Sequence, residues 1–238
     1  MKIKSKITFV LAALAFPVMT FASTPKEGLQ QIAFDSGFYL GGALEFEHMG
    51  GRRSDGLTTS LTTGFYSSDA GLSDDMPGFE FFGGLLYRFN NSNFVLGLEP
   101  YFGYKANKNT LEAPLAGVQQ SAELKREWDL GVLARFGYIV NEQTLVYAVA
   151  GPDWGYFKYT QEEIGTPSTT VSSSKWISGV RYGAGVERQF SCFRVGLQAT
   201  MTNYNNSTLS APDTSGDVLF VNAKPNVFTL SFRVSYPF

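Results

Sequence analysis

The only histidine of this 238-residue chain, His48, is the first candidate for acid–base chemistry, because imidazole gains and loses a proton near neutral pH. Glu47 and Asp55 lie close to it in sequence and could orient its ring, and Ser54 could then act as the nucleophile of a hydrolysis. A lone histidine where a strand runs into a loop is more commonly a solvated residue. We therefore predict no catalytic residue and a protein that is not an enzyme.

Acidic and basic residues in the same region offer a second chemistry, the binding of ions. Asp69, Asp74 and Asp75 carry oxygen ligands of the kind that divalent cations prefer, but their spacing matches no calcium-binding loop. Arg52 and Arg53 could meet lipid phosphates or a polyanion. Solvated loop charge explains both groups, and we predict neither a bound metal nor a cofactor.

The single cysteine, Cys192, excludes an internal disulfide and a zinc site built from several cysteines. It falls in a short predicted turn, with no partner and no sign of activation of its thiol. The formal net charge of −2 gives no electrostatic ground for binding nucleic acid. These observations argue against an internal disulfide, a cysteine-based zinc site and nucleic-acid binding. The function therefore has to be inferred from the architecture of the chain.

The first 22 residues have the features of a cleavable export signal. Three lysines precede a short apolar run at residues 7–16, and Ala22 provides a small residue before a cut ahead of Ser23. The apolar run is too short to span a bilayer. We predict a signal peptide at 1–22, followed by an N-terminal periplasmic segment at 23–35.

From Gly37 onward, apolar and polar residues alternate with a period of two, which predicts β-strands. The first segment places Phe38, Leu40 and Phe46 on one face and Glu45 with Glu47 on the other. Seven further segments continue the pattern to the end of the chain. Only the fifth changes phase, between Tyr147 and Trp154, and a β-bulge at Gly151-Pro152 would restore its alternation.

The connections between these segments alternate in length. Those after the second, fourth and sixth segments are a few residues each, whereas the other four cover residues 49–77, 106–121, 158–174 and 203–224. Short turns at one end and long polar loops at the other are typical of an outer-membrane barrel. The sequence therefore predicts an all-β fold for residues 36–238, a closed antiparallel up-and-down transmembrane β-barrel of eight strands.

Aromatic residues near the segment ends favour a membrane over a soluble barrel. They predict two interfacial girdles. One would contain Trp128, Trp154 and Trp176, and the other Tyr87, Phe89, Phe94, Tyr138, Tyr147, Phe190 and Tyr236. The alternative is a soluble lipocalin-like barrel, which would turn its aromatic face inward around a ligand.

In a membrane barrel the other face forms the lumen, and it carries five acids and five bases. They are Glu45, Glu80, Glu99, Asp129 and Glu187, with Arg88, Arg135, Arg181, Arg194 and Arg233. An eight-stranded barrel is just wide enough for side chains to fill it. Counting residues from the short turns predicts three ion pairs across neighbouring strands: Glu45 with Arg233, Glu99 with Arg135, and Glu187 with Arg194.

Short stretches of the chain resemble the small outer-membrane barrels of the opacity and OmpA-like superfamily, which belong to the porin-family outer-membrane proteins. The stretches are Gly37-Phe38-Tyr39-Leu40-Gly41-Gly42, Ala134-Arg135-Phe136-Gly137-Tyr138, Gly183-Ala184-Gly185-Val186-Glu187 and the terminal Tyr236-Pro237-Phe238. The resemblance implies that Tyr236 and Phe238 form a signal for the barrel-assembly machinery. Pro237 departs from that signal because it removes a backbone donor. The resemblance also implies a surface protein whose loops vary and often mediate contact with hosts or complement.

Together these observations predict a non-enzymatic barrel in the outer membrane of a Gram-negative-type envelope. Its lumen would be plugged by charged side chains, and four long loops would be displayed outside the cell for surface interaction or adhesion. Its expected partners are outer-membrane lipid and lipopolysaccharide, the barrel-assembly machinery, and a host or surface ligand. A small-solute channel is the alternative function, which conductance measurements would distinguish.

Overall fold

A computed structural model describes residues 34–58, 63–66, 74–90, 92–115, 118–164, 170–212 and 218–238. The predicted signal at 1–22 and most of the predicted segment at 23–35 lie outside these residues. All regular structure in the described ranges is β-strand, so no helix in them is long and apolar enough to cross a membrane. The strands are β1 (Gly37–Thr58), β2 (Thr63–Tyr66), β3 (Asp74–Arg88), β4 (Phe94–Leu115), β5 (Val118–Asn141), β6 (Thr144–Ile164), β7 (Thr170–Phe190), β8 (Phe193–Tyr204), β9 (Ser207–Pro212) and β10 (Val218–Pro237).

These ten strands occupy eight positions in one closed antiparallel ring, in the order β1-β3-β4-β5-β6-β7-β8-β10, and β10 pairs with β1 to close it. The short β2 pairs with the part of β1 that lies beyond its pairing with β3. Likewise, β9 pairs with the part of β10 that lies beyond its pairing with β8. The predicted eight-stranded barrel is confirmed. We call the end that holds the turns after β3, β5 and β7 the turn end, and the opposite end the loop end.

The register of the strands fixes the width and tilt of the barrel. A path of register partners that starts at Gly37 returns to β1 at Glu47, so one turn around the ring shifts the register by ten residues. The path passes through Leu86, Gly97, Arg135, Val149, Gly183, Thr200 and Thr229. With normal strand spacing and rise, this stagger over eight strands gives a tilt of about 40°. A barrel of this size has an interior that side chains can fill.

The period-two pattern places apolar residues on the outer face of the wall. Phe38 and Phe81 are 68% and 69% exposed, whereas Glu45, Glu80 and Arg181 are almost completely buried inside. A water-soluble barrel would not expose such a surface, because a contiguous apolar exterior needs lipid around it. The lipocalin-like alternative is therefore wrong, since it requires the opposite arrangement of the two faces.

A row of aromatic residues marks the loop-end boundary of this apolar surface. Its members are register partners on five neighbouring positions: Phe79, Tyr104, Trp128, Tyr156 and Trp176. On β5, ten residues separate Trp128 from the outward-facing Tyr138 near the turn end. At the tilt given above, that separation is about 25 Å along the barrel axis, which matches the apolar band of outer-membrane barrels.

The strands extend well past this row, and here the structure corrects the predicted loops. Residues 106–115 and 118–121, predicted as a loop, belong to β4 and β5 and pair with each other up to Leu115 and Val118. The other three predicted loops also contain paired strand, as in Lys158–Ile164 of β6. Consecutive polar residues such as Asn107, Lys108 and Asn109 interrupt the alternation that identified the membrane segments, so the sequence could not show that the ladder continues.

Strand β6 also differs from its prediction. Its register with β7 is constant from Thr144 to Glu162, with no bulge at Gly151-Pro152. Leu145, Tyr147 and Val149 point into the barrel and are buried. The prediction failed because it assumed that apolar residues face lipid, whereas the interior of this barrel is apolar near the turn end. Tyr147 therefore does not belong to the outer girdle.

The interior has three layers along the barrel axis. Near the turn end lies an apolar cluster that includes Phe34, Leu86, Val95, Ile139 and Leu145. Near the loop end lies a second one: Met49, Leu124, Phe157, Tyr159, Ile177, Tyr204, Leu209, Ala223 and Val227. Between them the inward positions are mostly charged. On β5 the buried inward side chains from turn end to loop end are Ile139, Arg135, Leu133, Asp129, Arg126 and Leu124.

Candidate functional site

The middle layer of the barrel interior holds most of its buried charge. Across the described interior thirteen charged side chains are 0–4% exposed, seven acids and six bases. They are Glu45, Glu47, Glu80, Glu99, Asp129, Asp153 and Glu187, with Lys105, Arg126, Arg135, Arg181, Arg194 and Arg233. Charges at such depth require partners, because an unpaired buried ion carries a large desolvation cost.

The part of this layer nearest the turn end is built around Arg135, and we call it the Arg135 cluster. Arg135 Nη1 lies 2.9 Å from Glu99 Oε2, and Arg135 Nη2 lies 2.9 Å from Glu187 Oε1. Arg233 approaches the same Glu99 oxygen at 2.7 Å. The Tyr39 hydroxyl donates to Glu99 at 2.7 Å and accepts from Arg135 at 2.9 Å. Two arginines and two carboxylates therefore neutralise one another.

The next part of the layer is built around Arg181, and we call it the Arg181 cluster. Its guanidinium lies 2.6 Å from Glu80, 3.0 Å from Asp153, and in contact with Asp129. The Tyr101 hydroxyl donates to Asp153 at 2.5 Å. Positions β3 and β7, which carry Glu80 and Arg181, stand opposite each other in the ring of eight. The Arg181–Glu80 bridge therefore crosses the full width of the lumen.

Lys105 and Arg126 complete the layer on its loop-end side. Lys105 contacts Glu45, lies 3.3 Å from Glu47 and lies 3.6 Å from Asp129. Arg126 contacts Glu47 and donates to the Tyr204 hydroxyl at 2.7 Å. That hydroxyl in turn donates to Asp153 at 2.6 Å, so it links this group to the Arg181 cluster. The charged layer is thus a connected network and not a set of isolated pairs.

Arginine planes stack on interior aromatic rings and fix the geometry of the network. The guanidinium of Arg135 lies 3.9 Å from the ring centre of Tyr147, that of Arg181 lies 4.1 Å from Tyr101, and that of Arg233 lies 3.8 Å from Phe82. Inward-facing glycines make room for these rings. A Cβ at Gly131 would overlap the Tyr101 hydroxyl, so any larger residue there would displace the hydroxyl that donates a hydrogen bond to Asp153.

The structure brings together one of the three predicted pairs, Glu99 with Arg135. Glu45 contacts Lys105 and accepts from Ser231, whereas Arg233 contacts Glu99 and donates to Gln198. The predicted pairing of Glu45 with Arg233 is therefore wrong. The register places Ala43 and not Glu45 opposite Arg233, and long side chains reach across the lumen to strands that are not neighbours.

The predicted ion pair of Glu187 and Arg194 is not a direct salt bridge among the described contacts, although Glu187 still attracts Arg194 electrostatically. Glu187 pairs with Arg135, while Arg194 donates to Gln189 at 2.8 Å and lies over the ring of Phe34. The register partner of Glu187 on β8 is Gly196, two residues from Arg194 toward the loop end. Arg88, assigned to the lumen from the sequence, instead donates to the carbonyl of Ser92 in the first turn.

Four members of the network were missing from the predicted set of lumen charges: Glu47, Lys105, Arg126 and Asp153. Glu47 and Lys105 share the phase of Glu45 and Glu99, so the alternation could have identified them. Asp153 was hidden by the bulge assumed in β6. Arg126 was hidden by a register shift between Arg126 and Trp128, which reverses the phase of β5 at that point.

Of the candidate residues for hydrolysis, the structure describes the side chains of His48 and Glu47. His48 lies exposed on the outer face and its register partner on β10 is Phe228, while Glu47 points inward to Arg126. Adjacent residues of a strand face opposite sides of the wall, so Glu47 cannot orient the His48 ring. Asp69 lies outside the described residues, and the side chains of Arg52, Arg53, Ser54, Asp55, Asp74 and Asp75 lie outside the described part.

The chain terminus lies at the turn end on the outer face. Tyr236 and Phe238 are exposed, with their ring centres 5.2 Å apart in an edge-to-face arrangement. The backbone N–H of Phe238 donates to the carbonyl of Phe38 at 2.8 Å and so extends the β1–β10 ladder to the last residue. Cys192 is exposed in the turn between β7 and β8.

A closed eight-position ring, an apolar outer surface about 25 Å high and an interior lined by buried charged side chains define an integral β-barrel protein of the outer membrane. The chain belongs to the outer membrane protein beta-barrel domain family, whose model matches residues 8–238. Its location is accordingly the outer membrane.

Individual relatives agree with this assignment. The 31 kDa outer-membrane immunogenic protein of Brucella melitensis is 27% identical over 164 residues, which cover 66% of each chain. Outer membrane protein X of Escherichia coli is 28% identical over 131 residues, 55% of this chain and 66% of that protein. The matches thus span just under two thirds of these relatives. The structure of OprG from Pseudomonas aeruginosa, at 12% identity, covers 86% of this chain and 98% of that one with a TM-score of 0.50, a likeness of fold.

Proposed function

We propose that this protein is a non-enzymatic outer-membrane barrel whose interior is closed to solutes and whose loop end is displayed at the cell surface. The observation that carries the proposal is the three-layered interior, in which two apolar clusters enclose the buried charged network. A closed barrel serves the envelope as a rigid support, and the segments beyond its apolar band are then free to vary and to contact a surface ligand.

Bridges across the lumen favour this proposal over a small-solute channel. A porin-like channel keeps its charges on the wall and leaves water between them. Here Arg181 reaches Glu80 on the opposite wall at 2.6 Å, and Arg233 on β10 reaches Glu99 on β4 at 2.7 Å. A hydrated ion cannot pass without breaking several buried ion pairs, each of which is costly to separate.

The purified barrel in a planar lipid bilayer should therefore show no resolved conductance steps in molar potassium chloride. Insertion is verified independently by recovering folded, heat-modifiable protein from the same membrane. A general porin reconstituted by the same procedure serves as the positive control. Ohmic steps from the wild-type protein would contradict the closed interior and support the channel instead.

The orientation of the barrel gives a second test, by labelling engineered cysteines in intact cells with a membrane-impermeant maleimide. In a Cys192→Ser background, cysteines at Ser60, Asn109, Ser168 and Ser207 should react, because the proposal places the loop end outside. Ser60 and Ser168 lie outside the described residues, whereas Asn109 is in β4 and Ser207 begins β9.

Cysteines introduced at the turn-end positions Asn91 and Asn141 are the matched controls for orientation. They should stay unlabelled in intact cells and react after the outer membrane is permeabilised. Asn141 closes β5 at the turn end, and Asn91 lies outside the described residues. Labelling at these two positions, with none at the four loop-end positions, would reverse the proposed orientation.

A further inference from the structure

A line of lysines crosses the barrel wall at the loop-end side of the aromatic row. Lys125 on β5 and Lys158 on β6 are register partners, and the backbone partner of Lys125 on β4 is Lys108. Three neighbouring strands thus carry a lysine at the same register position. Like charges directly opposite each other on one face of a sheet repel, so an anion between Lys125 and Lys158 would stabilise that pair.

The pair of Lys125 and Lys158 belongs to the outer face of the wall. Lys158 is exposed, and its neighbours Phe157 and Tyr159 along β6 point inward and are fully buried. Leu124 and Arg126 likewise point inward on either side of Lys125. The two ammonium groups therefore face whatever surrounds the barrel and take no part in the interior network.

The height of the pair identifies its surroundings. Lys158 follows Tyr156 of the aromatic row by two residues, which is about 5 Å along the axis at a tilt of about 40°. Aromatic girdles lie at the boundary between acyl chains and head groups. Positive groups just beyond the girdle lie at the depth of the phosphoryl groups of the surrounding lipid.

Carboxylates near the lysine pair determine where an anion would bind. Lys125 Nζ lies 3.1 Å from Glu127 Oε1, and Glu123 lies two residues from Lys125 on the same strand. On β7, Lys158 has Ser174 as its partner, and the Ser174 hydroxyl accepts from Tyr156 at 2.8 Å. Glu127 thus offsets one of the two charges and leaves Lys158, beside a hydroxyl-rich strand, as the main attraction for a phosphate.

We propose that Lys125 and Lys158 bind a phosphoryl group of lipopolysaccharide in the outer leaflet. Lysine binds phosphate as a compact point charge, and two of them opposite each other can share one anion. The proposal rests on the loop end facing the cell surface, because lipopolysaccharide is the lipid of that leaflet.

The test uses the full barrel, without its signal, in a non-ionic detergent to which deep-rough lipopolysaccharide is added. The unfolding midpoint, read from the heat-modifiable gel shift, should rise by about 5 °C for a ligand present at many times its dissociation constant. The same lipopolysaccharide after chemical dephosphorylation should give almost no rise. An equal rise with both preparations would overturn phosphate recognition, and an equal rise with phosphatidylglycerol would overturn the choice of lipid.

Variants then locate the site. The double variant Lys125→Gln with Lys158→Gln should lose the rise, and the single Lys158→Gln should lose more than half of it. The matched control is Lys224→Gln with Arg188→Gln, which removes two exposed positive charges away from the pair: Lys224 is on β10, opposite β5 in the ring, and Arg188 lies near the turn end. A full rise in folded Lys158→Gln would overturn the site. Since the measurement is made in detergent, its failure leaves the conductance and labelling results standing.

Discussion

Replacing Arg181 by methionine should lower the free energy of unfolding by about 3–5 kcal/mol, the usual cost of breaking a buried ion pair by removing one partner. Methionine keeps much of the side-chain volume but leaves Glu80 and Asp153 without their arginine. The midpoint of urea unfolding in lipid vesicles, followed by the heat-modifiable gel shift, measures the loss. Arg181 is expected to give the largest effect in the barrel because it serves three carboxylates at once.

Arg188 provides the matched control on the same strand. It is exposed near the turn end, so Arg188→Met should change the unfolding free energy by less than about 1 kcal/mol, as for surface charges in general. Adding Glu80→Gln to Arg181→Met should recover part of the loss, because the double variant no longer buries that unpaired charge. Equal midpoints for Arg181→Met and Arg188→Met would show that the bridge across the lumen does not form.

Deletion of Phe238 should remove most of the folded barrel from the outer membrane and leave aggregated chain in the periplasm. We propose that the barrel-assembly machinery reads Tyr236 and Phe238, whose exposed rings stand together at the end of β10. The deletion also removes the backbone bond from Phe238 to Phe38, the last rung of the seam. The measurement is the amount of heat-modifiable protein in purified outer membranes.

Two further variants separate recognition of the terminus from loss of an aromatic side chain. Phe193→Ala removes an exposed ring at the turn end of β8, which stacks on Phe190 as Phe238 packs on Tyr236, and it should insert at close to the wild-type level. Phe238→Ala keeps the backbone bond to Phe38 and should still insert poorly. Normal insertion of both terminal variants would rule out an assembly signal at Phe238.

The sequence predicted the parts of this fold that depend on one strand at a time. Alternation along Phe38 to Glu47 determines which side chains face lipid, and the spacing of turns determines the number of strands. The pairing of Arg181 with Glu80 could not be predicted in this way, because the two residues are 101 apart in sequence and meet only when opposite walls are fixed by the stagger of the whole ring. Depth counting works for neighbours such as Glu99 and Arg135 and fails for long side chains that cross the lumen.

The alternation of apolar and polar residues became ambiguous where the barrel interior changes from charged to apolar along the axis. Leu145 and Val149 are apolar and point inward, so a rule that sends apolar residues to lipid reverses the phase of β6. Beyond the membrane the difficulty was different: consecutive polar residues in β4 interrupt the alternation, although the ladder continues to Leu115 and Val118. The residue types of a strand show which face points outward only where the surroundings of its two faces differ in polarity.

The seam between β1 and β10 has a consequence for how the protein folds. It joins the first and last strands of the described ring, from Tyr39 with Pro237 to Thr58 with Val218, so the ring cannot close until the last strand is in place. Until then Glu99 lacks Arg233 from β10, and Glu45 and Glu47 lack Ser231 and Thr229. Partly assembled forms would carry uncompensated charge into lipid, which makes them high in energy on both the forward and the reverse path. Contacts this distant in sequence form slowly, and the same barrier makes a completed barrel slow to unfold, so its lifetime in the membrane is set by kinetics as much as by equilibrium stability.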